Sequence, residues 1–239
     1  MTQLLILNPN TSASFTAKLS EHVRAALPQT DVQAVTARLG APYIASEASY
    51  AVAGHAVLDS WAAWRAEHER IPDAVLIGCF GDPGLFALRE CCPARVTGLA
   101  EAAFTEATQL GRFAVVTGGE RWAPMLERLA QTLGLDASLA GVHTVAPSGA
   151  QLAADPAMAL KLLAQACRDA ARQWSVSSII LGGAGLAGLA AQIQADVDVP
   201  VIDSVLAGAR YALLAKKGLG EAPDRGWIGV APELSLLHA

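Results

Sequence analysis

Hydrophobic and polar positions along the chain fall into two kinds of block. Short apolar runs occupy residues 4–7, 74–79, 113–117, 178–181 and 200–203, each bounded by Gly, Pro, Asn or Asp. Runs that are apolar at successive positions fit strands buried on both faces of a parallel sheet. Between them lie longer, Ala-rich segments of helical period at 14–26, 51–69, 123–134, 156–174 and 204–216. Strands alternating with helices predict an α/β protein with mostly parallel sheet.

The pattern also repeats. LILNPNTSASF resembles AVVTGGERWAP, VLIGCFGDPGLFAL resembles IILGGAGLAGLAA, and ARVTGLAEAA resembles PVIDSVLAGA. The offsets, from Leu5 to Ala114, Val75 to Ile179 and Ala94 to Pro200, are 109, 104 and 106 residues. Under that alignment Gly78 faces Gly182, Cys79 faces Gly183 and Thr97 faces Asp203. An ordered set of matches predicts two pseudo-symmetric three-layer α/β lobes, one from residues 1–98 plus 208–239 and the other from 99–207. Loops at the strand C-termini would meet across a cleft between them.

Composition narrows the partners. The chain has 239 residues, 53% of them hydrophobic, enough for a sizeable core. Its longest weakly charged stretch, 174–195, contains serines, a glycine run and Gln192, whereas a spanning helix needs about 20 continuous apolar residues. That stretch reads as a strand, a glycine turn and a helix, so no membrane partner is expected. A formal charge of −5 without a Lys/Arg cluster argues against nucleic acid. The N-terminal MTQLLILNPN lacks the basic start of a secretory signal, and a cytoplasmic protein is expected. Cys79, Cys91, Cys92 and Cys167 show no zinc spacing and read as free thiols, and the five histidines show none either. So apolar a chain is expected to bury surface in a homo-oligomer.

Three turns sit where open α/β folds place ligands, just past strand ends. Asn8-Pro9-Asn10-Thr11-Ser12 offers capping side chains and exposed amides that suit an anion. Gly78-Cys79-Phe80-Gly81-Asp82-Pro83-Gly84 brings a thiol to the cleft edge near a helix start, a setting that lowers a thiol pKa. Thr117-Gly118-Gly119 offers backbone amides for a carboxylate or imide oxygen. Gly183-Ala184-Gly185 lacks the rest of a dinucleotide fingerprint, and no phosphate loop or GxSxG elbow is present.

Taken together, NPNTS, GCFGDPGL, VVTGGERW and VPVIDSVLAGA resemble the hydantoin racemases and, more broadly, the aspartate/glutamate racemase superfamily, over residues 3 to 215. The resemblance implies a two-lobe isomerase acting on a small carboxylate or cyclic imide, with no metal, nucleotide or pyridoxal cofactor. In that family two cysteines flank the reacting carbon, one removing a proton and the other delivering one. Cys79 matches the first. Asn8, Asn10, Thr11, Phe80, Asp82, Thr117, Gly118 and Ala184 fall in or beside the substrate-holding turns, and Asp203 and Ser204 support the site. At the second cysteine position this chain has Gly183, which can neither give nor accept a proton. The resemblance therefore also admits a single-cysteine decarboxylase of the arylmalonate type, or a thiol-addition cis–trans isomerase. A cysteine restored at 183 is expected to raise racemisation.

Overall fold

The computed structural model describes residues 1–146, 151–152, 155–221 and 229–235, and in it the alternating blocks form two four-stranded parallel sheets. The first contains β1 (Thr2–Asn8), β2 (Thr30–Thr36), β3 (Ala74–Ile77) and β4 (Arg95–Gly98), in the order β2-β1-β3-β4. The second contains β5 (Phe113–Gly118), β6 (Leu139–Val145), β7 (Ser178–Gly182) and β8 (Val201–Asp203), in the order β6-β5-β7-β8. Adding four to each strand number converts the first order into the second. The three matched sequence segments begin at the equivalent strands β1/β5, β3/β7 and β4/β8, so the repeat in the sequence is a repeat of topology.

Period two along the central strands divides the core into layers. Leu5, Leu7, Val75 and Ile77 point outward from the first sheet, onto Trp61 of α2 (Glu47–Glu67) and Leu88 of α3 (Leu85–Cys91). Ala114, Val116, Ile179 and Leu181 point outward from the second, onto Leu163 of α6 (Pro156–Trp174) and Ala190 of α7 (Leu189–Ile193). The alternate residues Leu4, Ile6, Leu76, Phe113, Val115 and Ile180 point inward, between the sheets. There they meet α1 (Ala13–Ala26), α4 (Leu99–Leu110), α5 (Trp122–Thr132) and α8 (Ser204–Ala212). Burial on both faces explains why these strands carry no polar alternation.

The inner layer joins the halves. α4 follows the first sheet yet packs on β7 of the second, and α8 follows the second sheet yet packs on β3 and β4 of the first. The two helices also pack on each other. Further helical pieces among the described residues are the 3-10 turns Ala184–Leu186, after β7, and Gln194–Asp196, and α9 (Pro232–Ser235), which sits against α2 with Leu234 fully buried.

Several boundaries differ from the sequence expectation. β3 ends at Ile77, so Cys79 stands in the following loop, and α8 ends at Ala212. α2 starts early because Ser46 and Ser49 form a reciprocal capping box, with the Ser49 amide donating to Ser46 Oγ at 3.3 Å. The apolar stretch 174–195 is strand, glycine turn and short helix, as expected. Among the described residues no helix is long and apolar enough to cross a membrane.

Candidate active site

All strands of each sheet run parallel, so the C-terminal ends of β1, β3, β5 and β7 deliver their loops to one place. There they line a cleft of about 490 Å³, counted out to open solvent. Asn10 enters from the β1 turn and Phe15 from α1. Tyr43 and Ile44 enter from the β2–α2 loop, and Gly78, Cys79 and Phe80 from the β3 loop. The second half supplies Thr117, Gly118, Trp122 and residues 182–186. None of the described residues lining the cleft carries a formal charge.

The β1 turn is built on two carboxamides. Asn8 is 1% exposed and its Nδ2 donates to Asn10 Oδ1 at 3.0 Å and Thr16 Oγ1 at 2.9 Å, while its Oδ1 accepts the Asn10 amide at 3.3 Å. Both ends of Asn8 are thus used inside the protein, and it positions the turn instead of holding a ligand as expected. Asn10 Oδ1 also accepts the Ser12 amide at 2.9 Å. A backbone N–H can only donate, so this bond fixes the orientation of the Asn10 carboxamide. Its oxygen faces the turn, and its amide nitrogen is the end left for a ligand. Thr11 does not line the cleft; its amide donates to Ala41 O at 3.1 Å and pins the loop that carries Tyr43.

Cys79 lies at the cleft wall, 8% exposed. The thiol was expected to be acidified by a helix start. Burial instead pushes its pKa above the ordinary thiol value, and the Asp82 carboxylate pushes it further. The reason is geometric: α3 is short and begins only at Leu85, and no cation is among the described residues lining the cleft.

Asp82, also expected to touch the substrate, is 2% exposed and faces away from the cleft. Its Oδ1 accepts the Ala100 amide at 2.9 Å and its Oδ2 the Glu101 amide at 2.7 Å, capping α4 from a distant loop. The carboxylate occupies the space a side chain at Gly98 would need: a Cβ there would lie 2.1 Å from Asp82 Cγ. Burial raises the Asp82 pKa to about 7, opposed by those two amides. In the second half Asp203 does the equivalent work. Its Oδ1 caps α8 through the Val205 and Leu206 amides, and its Oδ2 accepts the Gly188 amide at 2.7 Å. Ser204 accepts the Gly183 amide on its hydroxyl at 3.2 Å. Each half thereby ties the loop after its third central strand to the helix after its fourth.

Two aromatic rings lock the halves together across the cleft. Phe80, from the first half, lies over Gly182 of the second, where a Cβ would come within 2.3 Å of the ring. Trp122, from the second half, lies over Gly81 of the first, where the corresponding approach is 2.5 Å. Phe80 also meets Phe104 edge-on at 6.0 Å between centroids, and Trp122 meets Tyr50 edge-on at 6.4 Å. The Tyr50 hydroxyl donates to Gly81 O at 2.7 Å. Only glycine admits these contacts.

Opposite Cys79 in the repeat stands Gly183, with φ +139° and ψ 133°. That conformation is open to glycine and nearly closed to any L side chain. The hydroxyl of Thr117 donates to Gly182 O at 2.8 Å, so toward a ligand it can only accept. Of the residues expected from the sequence, the fold brings Cys79, Gly183, Asn10, Phe80, Thr117, Gly118 and Ala184 to the cleft and excludes Asn8, Thr11 and Asp82. Trp122 and Tyr43 are also there. Phe15, Ile44 and Leu186 were not foreseen, and no local signal marks them, because their arrival depends on how α1 and two loops pack.

Comparison with known proteins follows the same outline. The Asp/Glu/Hydantoin racemase family model matches residues 4–212. A hydantoin racemase of Paenarthrobacter aurescens is 33% identical over 216 residues, covering 88% of this chain and 89% of that protein. The structure of an allantoin racemase from Klebsiella pneumoniae superposes with a TM-score of 0.82 at 33% identity, covering 89% of this chain and 86% of that one. An allantoin racemase from Pseudomonas fluorescens gives 0.83 at 30% identity, covering 88% and 89%.

Proposed function

The chain belongs to the Asp/Glu/hydantoin racemase family, and from that premise we propose that it is an isomerase of the hydantoin racemase type, inverting the acidic C–H of a hydantoin-like ring with Cys79 as acid/base. One observation carries the reading: a single thiol, and no formal charge, among the described residues lining a cleft between two α/β halves. A carbon next to a ring carbonyl gives up its proton to a thiolate, and the electron pair moves onto the carbonyl oxygen as an enolate. The Asn10 amide nitrogen favours that oxygen as charge develops on it; the Gly78, Gly119 and Gly183 amides already donate to Leu7 O, Val145 O and Ser204 Oγ. The Thr117 hydroxyl, limited to accepting, suits a ring N–H. An uncharged lining suits a neutral cyclic imide better than a free amino-acid zwitterion, whose charges would lose their solvation unpaired.

The test is deuterium exchange in D₂O on single enantiomers of 5-substituted hydantoins, following α-proton loss and optical rotation together. Exchange accompanied by decay of rotation, abolished by Cys79→Ser, is the expected result. Absence of both with every such hydantoin overturns the reading. The bare backbone at Gly183 favours a second reading, protonation on one face after loss of CO₂. Release of CO₂ from disubstituted malonates, ended by Cys79→Ser, would select it.

A further inference from the structure

Racemisation needs a proton carrier on each face of the reacting carbon, and the repeat position opposite Cys79 offers none. Gly183 has no side chain, and its amide is committed to Ser204 Oγ at 3.2 Å. Among the described residues lining the cleft, only one side chain besides Cys79 bears an ionisable proton, and it is Tyr43. The phenol reaches the cleft by a different route from the thiol. Cys79 stands in the loop after β3, whereas Tyr43 comes from the β2–α2 loop and crosses to the second half. Its hydroxyl lies 3.8 Å from where a Cβ on Gly119 would sit, in the turn that follows β5. The loop is held on both sides: the Thr11 amide fixes Ala41 at 3.1 Å, and the Ser46–Ser49 capping box fixes the start of α2. Ile44, next in sequence, is buried and lines the same cleft. The phenol is therefore placed by the fold.

Resting on the racemase reading above, we propose that Tyr43 is the second proton carrier, working on the face of the substrate opposite Cys79. In one direction the Cys79 thiolate takes the α-proton: the C–H bond breaks, an S–H bond forms, and the electron pair enters the enolate. The Tyr43 O–H then breaks as a new C–H forms on the other face, leaving a phenolate and a thiol. The opposite enantiomer runs the sequence backwards, from phenolate and thiol. Exchange with water resets either form. Tyrosine and cysteine are both accepted carriers in general acid–base catalysis, and each such group contributes about 10²- to 10⁴-fold.

Tyr43→Phe keeps the ring and removes only the hydroxyl. With wild type racemising a 5-substituted hydantoin, the expected result for Tyr43→Phe is a fall in rotation decay of about 10²- to 10⁴-fold. Exchange of the α-proton in D₂O should continue for one enantiomer, with configuration retained, because Cys79 still serves its own face. The thermal midpoint should match wild type. Rotation decay within about threefold of wild type would overturn the inference and leave the racemase reading standing. Equal loss of exchange and racemisation for both enantiomers, at an unchanged midpoint, would also overturn it, since a wall residue would do that. Failure of wild type itself to exchange or racemise any 5-substituted hydantoin would remove the racemase reading, and this inference with it.

Discussion

Substituting Gly183 separates backbone strain from thiol chemistry. A Cβ built at this position meets Leu186 Cγ at 3.5 Å and Cδ1 at 3.7 Å, which is ordinary van der Waals contact. Crowding therefore contributes little, and what remains is the φ of +139°. Holding a non-glycine residue in so sparsely populated a region costs about 1–3 kcal/mol. In a protein of this size each kcal/mol moves the midpoint by roughly 2–4 °C, so Tm should drop by roughly 2–12 °C. Gly183→Ala and Gly183→Cys should lose equally, because the strain begins at Cβ and both have one. The gain in racemisation expected for a restored cysteine also needs revision. A backbone relaxed toward an allowed φ would displace Ala184–Leu186 on the cleft wall and disturb the Gly183 N–H···Ser204 bond. Racemisation by Gly183→Cys should not exceed that of Gly183→Ala. Thermal unfolding followed by circular dichroism, with polarimetry on the same preparations, measures both. Midpoints within about 1 °C of wild type for both variants, or a Cys variant racemising above wild type, would refute the strain argument.

Other outcomes follow from the same geometry. Because burial and Asp82 hold Cys79 as a thiol, kcat/KM should climb with pH from 7 to 9.5 without levelling near the ordinary thiol value of about 8.5; a plateau below pH 8 would contradict it. Asp82→Asn removes the negative charge beside the sulfur and should move that rise to lower pH. Asp82 also affects stability. Its pKa is raised to about 7 in the fold, so the folded state keeps a proton that the unfolded chain releases near the usual carboxylate value. Its stabilising contribution is complete below about pH 4 and is lost as pH rises to about 7. The stability difference between wild type and Asp82→Asn, from urea unfolding, should change across that window and stay constant above it. Gly182→Ala drives a methyl into the Phe80 ring and should cost about 1–3 kcal/mol. Phe80→Leu should relieve part of that cost in a double-mutant cycle, and strict additivity would deny the contact.

How far the sequence could be read depended on where each strand lies. β1, β3, β5 and β7 are central and buried on both faces, so they appear as apolar runs. β2 and β6 are sheet edges with half-exposed polar residues such as Asp31, Gln33, His143 and Thr144, and they carry no such run. α4 begins directly after Gly98 with no intervening turn, so nothing punctuates its start. At the site, Cys79, Asn10, Thr117 and Gly183 were legible because strand-end loops carry ligand-facing residues. Asn8, Thr11 and Asp82 misled for a chemical reason: the residue types that hold anions are also those that cap helices and fix turns. The thiol misled because a local helix-start argument ignored its burial and a carboxylate three positions on.

The two halves share a topology but solve one mechanical problem differently, and the difference bears on the chemistry. Each must tie the loop after its third strand to the helix after its fourth. The second half does so with Asp203 at the end of β8, which leaves the loop from Gly182 to Leu186 free of charged side chains. The first half does so with Asp82, from within the loop itself, and so places a buried carboxylate three residues from Cys79. The anchor that fixes the Cys79 loop is thus the same group that opposes ionisation of its sulfur. A thiol held protonated in the resting state is poised to donate. In the mechanism proposed above, the thiolate needed for the first proton removal is then scarce, and that mechanism predicts a rate limited by the thiolate fraction and not by substrate positioning. On this argument a solvent isotope effect and a steep pH dependence should travel together, and both should weaken in Asp82→Asn. An isotope effect unchanged in that variant would show that ionisation of the sulfur does not limit the rate.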